Sequence, residues 1–216
     1  MVILIDNGHG KDTVGKCSPL VDGTGLEGEA IEGGRFREYR YNRIIAADVC
    51  DILKSYGYDA RLIVPEEKDI SLAERVKRIN KVCSQYGAGN VVMVSVHCNA
   101  FGDAKEWNTA RGWSVWTTKG QNNSDRLAEM FYNRAVKNFD ESQKIRTDQS
   151  DGDADHESNF YIIKNAACPC CLTENFFMTN KEDVKFLLSE AGMHEITRVH
   201  VEALLDWVSY KTGKLQ

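Results

Sequence analysis

The chain has 216 residues, enough for one substantial core and short for two independent domains. Its 42% hydrophobic and 27% charged residues are ordinary for a globular protein. A net charge of −5, with both signs mixed along the chain, gives neither a nucleic-acid footprint nor a polybasic membrane anchor.

The chain opens with Met1-Val-Ile-Leu-Ile followed by Asp6, without a basic flank or a small-residue cleavage site. It therefore reads as a buried strand over Val2 to Asp6, and synthesis in the cytoplasm without a signal peptide is expected. No stretch approaches the ~20 apolar residues of a spanning helix, so membrane insertion is not expected. A glycine-rich polar loop follows from Asn7 to about Arg37. Loops of that length inside a compact domain are usually functional or mobile.

Glu38 opens a helix whose Tyr41, Ile44, Ile45, Val49, Ile52 and Leu53 follow the helical period, and Gly57 ends it. Tyr58 to Val64 is a second strand, stopped by Pro65. Ser71-Leu-Ala-Glu74 matches a capping box and starts a helix expected to bury Leu72, Val76, Ile79 and Cys83. Asn90 to Val96 is a nearly continuous apolar run, as in a central strand covered on both faces. Gly112 to Thr117 is a further strand and Ser124 to Phe139 a helix, followed by an acidic loop from Asp140 to Ser158. Strands over Phe160 to Ile163 and Cys170 to Thr173, and helices near Lys181 to Glu190 and Met193 to Tyr210, complete the chain. The alternation predicts an α/β fold: a single domain over residues 1–216, with a twisted, mostly parallel sheet of about five to six strands and helices on both faces.

The seven cysteines are odd in number and scattered, which argues for reduced structural thiols. Cys168 and Cys171 form a CxxC without a second pair, a pattern that small buried residues explain better than a metal does.

In an open α/β sheet, ligands collect at the carboxyl ends of strands. His9 and His97 each stand where an apolar run ends, and Glu174 is delivered in the same way by Cys170-Cys-Leu-Thr. Two imidazoles with carboxylates are a zinc donor set. His156, His194 and His200 lack that placement, and the last two fall in a helical pattern. For a third ligand, Glu27, Glu29, Glu32 and Glu38 are available. Glu38 begins a rigid helix, which suits a ligand, yet a first-turn acid is also what a helix dipole favours; spacing leaves both readings open. A carboxylate at the position of Glu174 is costly to desolvate without a partner, and partial burial raises its pKa toward general-base duty.

Four segments, Ile5-Asp-Asn-Gly-His-Gly10, Glu38-Tyr-Arg-Tyr-Asn42, Ser95-Val-His-Cys-Asn-Ala100 and Leu172-Thr-Glu-Asn-Phe-Phe177, stand together in one order. In them the chain resembles the zinc-dependent N-acetylmuramoyl-L-alanine amidases of the amidase-3 type, particularly bacteriophage endolysin catalytic domains. The resemblance implies Zn2+ as cofactor, His9, Glu38 and His97 as its ligands, and Glu174 as the catalytic carboxylate. Glu38 is singled out because it stands four residues before Asn42, as the family's ligand does. The chain departs from the family at Lys11, where a glycine is usual. The implied reaction is hydrolysis of the amide between N-acetylmuramic acid and L-alanine in bacterial peptidoglycan, at the cell wall. The alternatives are a zinc peptidase or deacetylase acting on another amide, and a degenerate wall-binding module.

Overall fold

The computed structural model describes residues 1–150 and 152–213. Its chain order is β1 (Val2–Asn7), β2 (Cys17–Leu20), β3 (Ile31–Glu32), β4 (Arg35–Arg37), α1 (Glu38–Ser55), β5 (Asp59–Leu62), α2 (Leu72–Tyr86), β6 (Val91–Asn99), β7 (Ser114–Thr117), α3 (Asn123–Asn138), β8 (His156–Glu157), α4 (Tyr161–Asn165), β9 (Cys170–Phe177), α5 (Lys181–Leu188) and α6 (Glu190–Lys211). Six strands form the main sheet in the order β5-β1-β6-β9-β7-β8. β1, β5, β6 and β9 run parallel, and β7 turns antiparallel to β9. The fold is α/β with a mostly parallel sheet, as the alternation predicts.

The central strands are apolar on both faces because helices cover both. Along β1, Ile3 and Ile5 enter the core beneath α1, α3 and α6, while Val2 and Leu4 enter the opposite core beneath α2 and α4. β6 divides in the same way, with Val92, Val94 and Val96 on one side and Val91 and Met93 on the other. All of these residues are buried. Truncating one of the larger ones, such as Ile5→Ala, would cost ~2–5 kcal/mol through lost transfer energy and a residual cavity. No helix among the described residues is long and apolar enough to cross a membrane.

Several local expectations are corrected. The segment 7–37 is not one loop: β2, β4 and β3 form a small antiparallel sheet, anchored by fully buried Phe36, whose N–H donates to Ser18 Oγ at 2.9 Å. Phe160 to Ile163 is not a strand, since Tyr161–Asn165 is a helix with Ile162 and Ile163 buried. A short apolar run is ambiguous between the two states. The 140–158 loop ends in β8 at the sheet edge. Ser71 caps α2 by accepting from Glu74 N, but the Glu74 carboxylate turns to Arg78 and does not complete the box. Leu72 is exposed, and the fourth buried residue of that helix is Arg75. His97 and Glu174 lie inside β6 and β9 rather than beyond their ends.

Candidate active site

β1, β6 and β9 lie side by side, so the polar residues toward their carboxyl ends converge. His97 and Glu174 are register partners on adjacent parallel strands, which places their side chains next to each other on one face. The register then slips by one residue: Asn99 pairs with Phe177, and Phe176 takes up the extra residue with φ of 62°. Such bulges re-aim side chains near functional sites. Asn175 braces the arrangement from the opposite face, donating to the His97 carbonyl at 3.0 Å and accepting from the Trp113 indole at 3.0 Å.

His9 follows β1 with φ of 64°, left-handed backbone between two glycines. Both glycines are demanded by close approach. A Cβ on Gly8 would stand 2.2 Å from His97 Cε1, and one on Gly10 would stand 2.0 Å from the Asp69 backbone nitrogen. The Gly-His-Gly sequence thus lets two imidazoles meet, with ring centroids 4.9 Å apart and planes perpendicular.

Glu38, the first residue of α1, lies fully buried between them. Its Oε2 is 3.4 Å from His9 Nε2 and its Oε1 is 3.1 Å from His97 Nδ1. The Cys98 N–H also donates to Oε1 at 3.1 Å, and Asn42, one turn along α1, ties the carboxylate to the Gly8 carbonyl. Of the glutamates open to sequence reasoning, Glu38 alone joins the two histidines: one ligand atom from each of His9, Glu38 and His97 lies within 4.8 Å of the others. Glu32 instead accepts from Tyr39 and pairs with Lys11.

Charge distribution sharpens this picture. Burial pulls the His9 imidazole down to about 4 despite the charge of Glu38, so it is neutral at pH 7. Burial pushes Glu38 up, but the His97 hydrogen bond and the charges of both histidines overcome it and hold the carboxyl at about 2. Burial also pulls His97 down, and Glu38 more than reverses this. Glu174 is raised to about 7, by burial first and by Glu38 in addition, against the opposing influence of His97. Oε2 of Glu38 and Oε2 of Glu174 are both buried without a hydrogen-bond partner. Two orphaned carboxylate oxygens at one spot are expensive unless a cation or a water completes them.

The sequence profile of N-acetylmuramoyl-L-alanine amidases matches residues 3–206. The chain belongs to the N-acetylmuramoyl-L-alanine amidase family. The amidase AmiA of Escherichia coli (strain K12) is 23% identical over 242 residues, covering 95% of this chain and 75% of that protein. An endolysin of Bacillus phage SPP1 is 21% identical over 169 residues, covering 77% of this chain and 56% of that protein. The crystal structure of an N-acetylmuramoyl-L-alanine amidase from Clostridium difficile 630 shares the fold, with a TM-score of 0.72 at 24% identity and 96% of each chain covered.

Within this family member, two arginines that sequence reasoning passed over hold the His9 turn. Arg75 is 2% exposed and donates to Asp6 Oδ1 (2.8 Å), Asn7 O (2.9 Å), His9 O (3.1 Å) and Asp69 Oδ1 (3.0 Å). Asp6 also accepts from Ser95 Oγ at 2.6 Å, so β1, β6 and α2 share one buried polar network. Arg43 reaches the same His9 carbonyl at 3.1 Å. Removing one partner of a buried ion pair such as Asp6–Arg75 costs ~3–5 kcal/mol. The available signal was Asp6 itself, a carboxylate closing an apolar strand and therefore in need of a cation.

Proposed function

We propose that the protein hydrolyses the amide between the lactyl group of N-acetylmuramic acid and L-alanine in bacterial peptidoglycan, with His9, Glu38 and His97 holding a zinc ion and Glu174 moving the proton. Residues 1–216 act as one catalytic domain, and the place of action is the bacterial cell wall.

The donor chemistry supports this. A neutral imidazole and an ionised carboxylate with a free buried oxygen are what zinc takes. His9 Nε2 and Glu38 Oε2, 3.4 Å apart, are close enough for both residues to hold one such ion together with His97. Held there, zinc supplies Lewis acidity, polarising a carbonyl and bringing the pKa of a water near ~7.

The protein's own groups do the rest. Glu174, raised to about 7 by burial, accepts a proton from water as the water oxygen bonds to the amide carbon. As the carbon–nitrogen bond breaks, Glu174 gives that proton to the departing amine. The products are the lactyl carboxylate and a free L-alanyl amino group. Arg75, Arg43 and Asn42 act one step back, fixing the His9 turn and Glu38.

The observation that carries this reading is the unpartnered Glu174 oxygen beside a His–Glu–His group. Mass spectrometry of digested peptidoglycan tests it: glycans with intact lactyl groups and stems with new L-alanyl amino termini are expected. Release of deacetylated sugars, or cleavage between stem residues, would replace it with the deacetylase or peptidase alternative. Elemental analysis of the purified protein should find zinc near one equivalent.

A further inference from the structure

The cleft beside Glu174 carries three cations. It measures about 520 Å³, within the ~300–1,000 Å³ range of small-ligand sites, and its walls include Asn99, Trp116, Arg111, Lys144 and Arg146. Arg111 is engaged by Asp183 at 3.5 Å and by the Ser142 carbonyl at 2.9 Å. Among the described residues, neither Lys144 nor Arg146 forms an ion pair.

The segment bearing them is held firmly. Trp113 N donates to Lys144 O at 2.9 Å, Arg146 N donates to Trp113 O at 2.8 Å, and Ile145 bridges to Trp113 as a parallel pair. Extended backbone alternates its side chains. Ile145 therefore packs on the core, while Lys144 and Arg146 both reach the cleft. Gly112 permits this docking, since a Cβ there would stand 2.8 Å from Lys144 O and 3.1 Å from Arg146 Cγ. Arg146 also rests its guanidinium 5.2 Å from the centre of the Phe177 ring.

The proton route decides which half of the substrate enters. Glu174 must come within ~2.6–3.2 Å of the departing amine nitrogen. The peptide extends from that nitrogen, so it runs into the cleft that Glu174 lines. After L-alanine, the stem of peptidoglycan continues with a γ-linked D-glutamate whose α-carboxyl is free in some walls and amidated in others.

We propose that Lys144 and Arg146 form a subsite for this first carboxylate of the peptide stem, so that the protein discriminates free acid from carboxamide. The inference rests on the amidase reading for the identity of the peptide, and two separate measurements keep the readings apart. Calorimetric titration of the whole protein with L-alanyl-γ-D-glutamyl peptide and with its isoglutamine counterpart reads the subsite alone. Hydrolysis of muropeptides differing only in that group reads it during turnover.

A preference for the acid of about tenfold or more is expected in Kd and in kcat/KM. Arg146→Gln and Lys144→Gln should each erode it through KM with kcat retained, and Arg146→Lys should restore part of it. Lys144 is exposed, so its variant folds whatever its effect on binding. Equal affinity for acid and carboxamide, or a loss in Arg146→Gln that is the same for both, overturns the subsite. Acid-selective peptide binding with no muropeptide cleaved would leave the subsite standing and remove the amidase reading.

Discussion

Thr173 and Glu174 are consecutive residues of β9, yet they face opposite sides of the sheet and two different histidine environments. Thr173 meets His200 of α6, which is fully buried. There, Nδ1 donates to the Ile196 carbonyl at 2.8 Å, so Nε2, 2.9 Å from Thr173 Oγ1, accepts the hydroxyl proton. Asn175 completes the chain by donating to that same Oγ1. Every nitrogen of His200 is satisfied within the protein and no carboxylate is among its hydrogen-bond partners: this is a finished, neutral, structural histidine. Glu174 meets His97, where a second imidazole and a second carboxylate crowd together and two carboxylate oxygens lack partners. Burial alone does not mark a functional histidine. The difference lies in whether the protein has already supplied the partners.

The largest effect expected on the unfinished side comes from His97→Ala. It should lose bound zinc and reduce amide hydrolysis to background, while His200→Gln should keep the metal; a His97→Ala protein with a full metal complement would end the proposed coordination. Next is Glu174→Gln, expected to retain zinc and lower kcat by ~10²–10⁴, the usual weight of general acid–base catalysis. The native protein should also show an acid limb in kcat/KM, with activity rising as Glu174 loses its proton. Burial sets that carboxyl at about 7 against the opposing charges of His97, Lys16 and Arg146, and a bound metal ion lowers it further, so the limb should have its midpoint below 7. An unchanged limb in Glu174→Gln would assign the titration elsewhere. Third is Gly8→Ala, whose Cβ has no room against the His97 ring. Displacing that ring should weaken zinc binding by ~10–100-fold in competition with a chelator, on the scale of other disturbances to ligand orientation.

The same comparison explains what the sequence disclosed. His9, His97 and Glu174 were singled out because the end of an apolar run is a local signal, whereas spacing left Glu38 open and only the family resemblance, with its glutamate four residues before an asparagine, pointed to it. The setting of His97 and Glu174 inside β6 and β9 was not legible, because the apolar run of each strand gives way to polar residues before its hydrogen bonding ends. The small sheet of β2, β3 and β4 escaped notice for a related reason. Its strands have two to four residues, too few for periodicity, and long-range contacts such as Arg35 to the Ala104 carbonyl hold it. Arg75 was hidden by its own chemistry: a charged residue on an apolar helix face reads as surface until its partners, Asp6 and three backbone carbonyls, are brought to it by the fold.

The finished side offers the smallest and cleanest test. Burial pulls His200 from the ordinary 6.5 to about 4. Between those values the unfolded chain takes up a proton that the folded protein refuses, so this residue's contribution to stability is whole above pH 6.5 and declines as pH falls toward 4. Fully developed, the linkage is worth about 3 kcal/mol. Denaturation of native protein and of His200→Gln, followed from pH 7.5 to 4, should therefore give stability curves that converge as the pH drops, since every other titrating group is common to both. Curves that stay parallel would mean that His200 takes up its proton as readily in the folded protein as in the unfolded chain. The distinction between a satisfied and an unsatisfied histidine across β9 would then be lost.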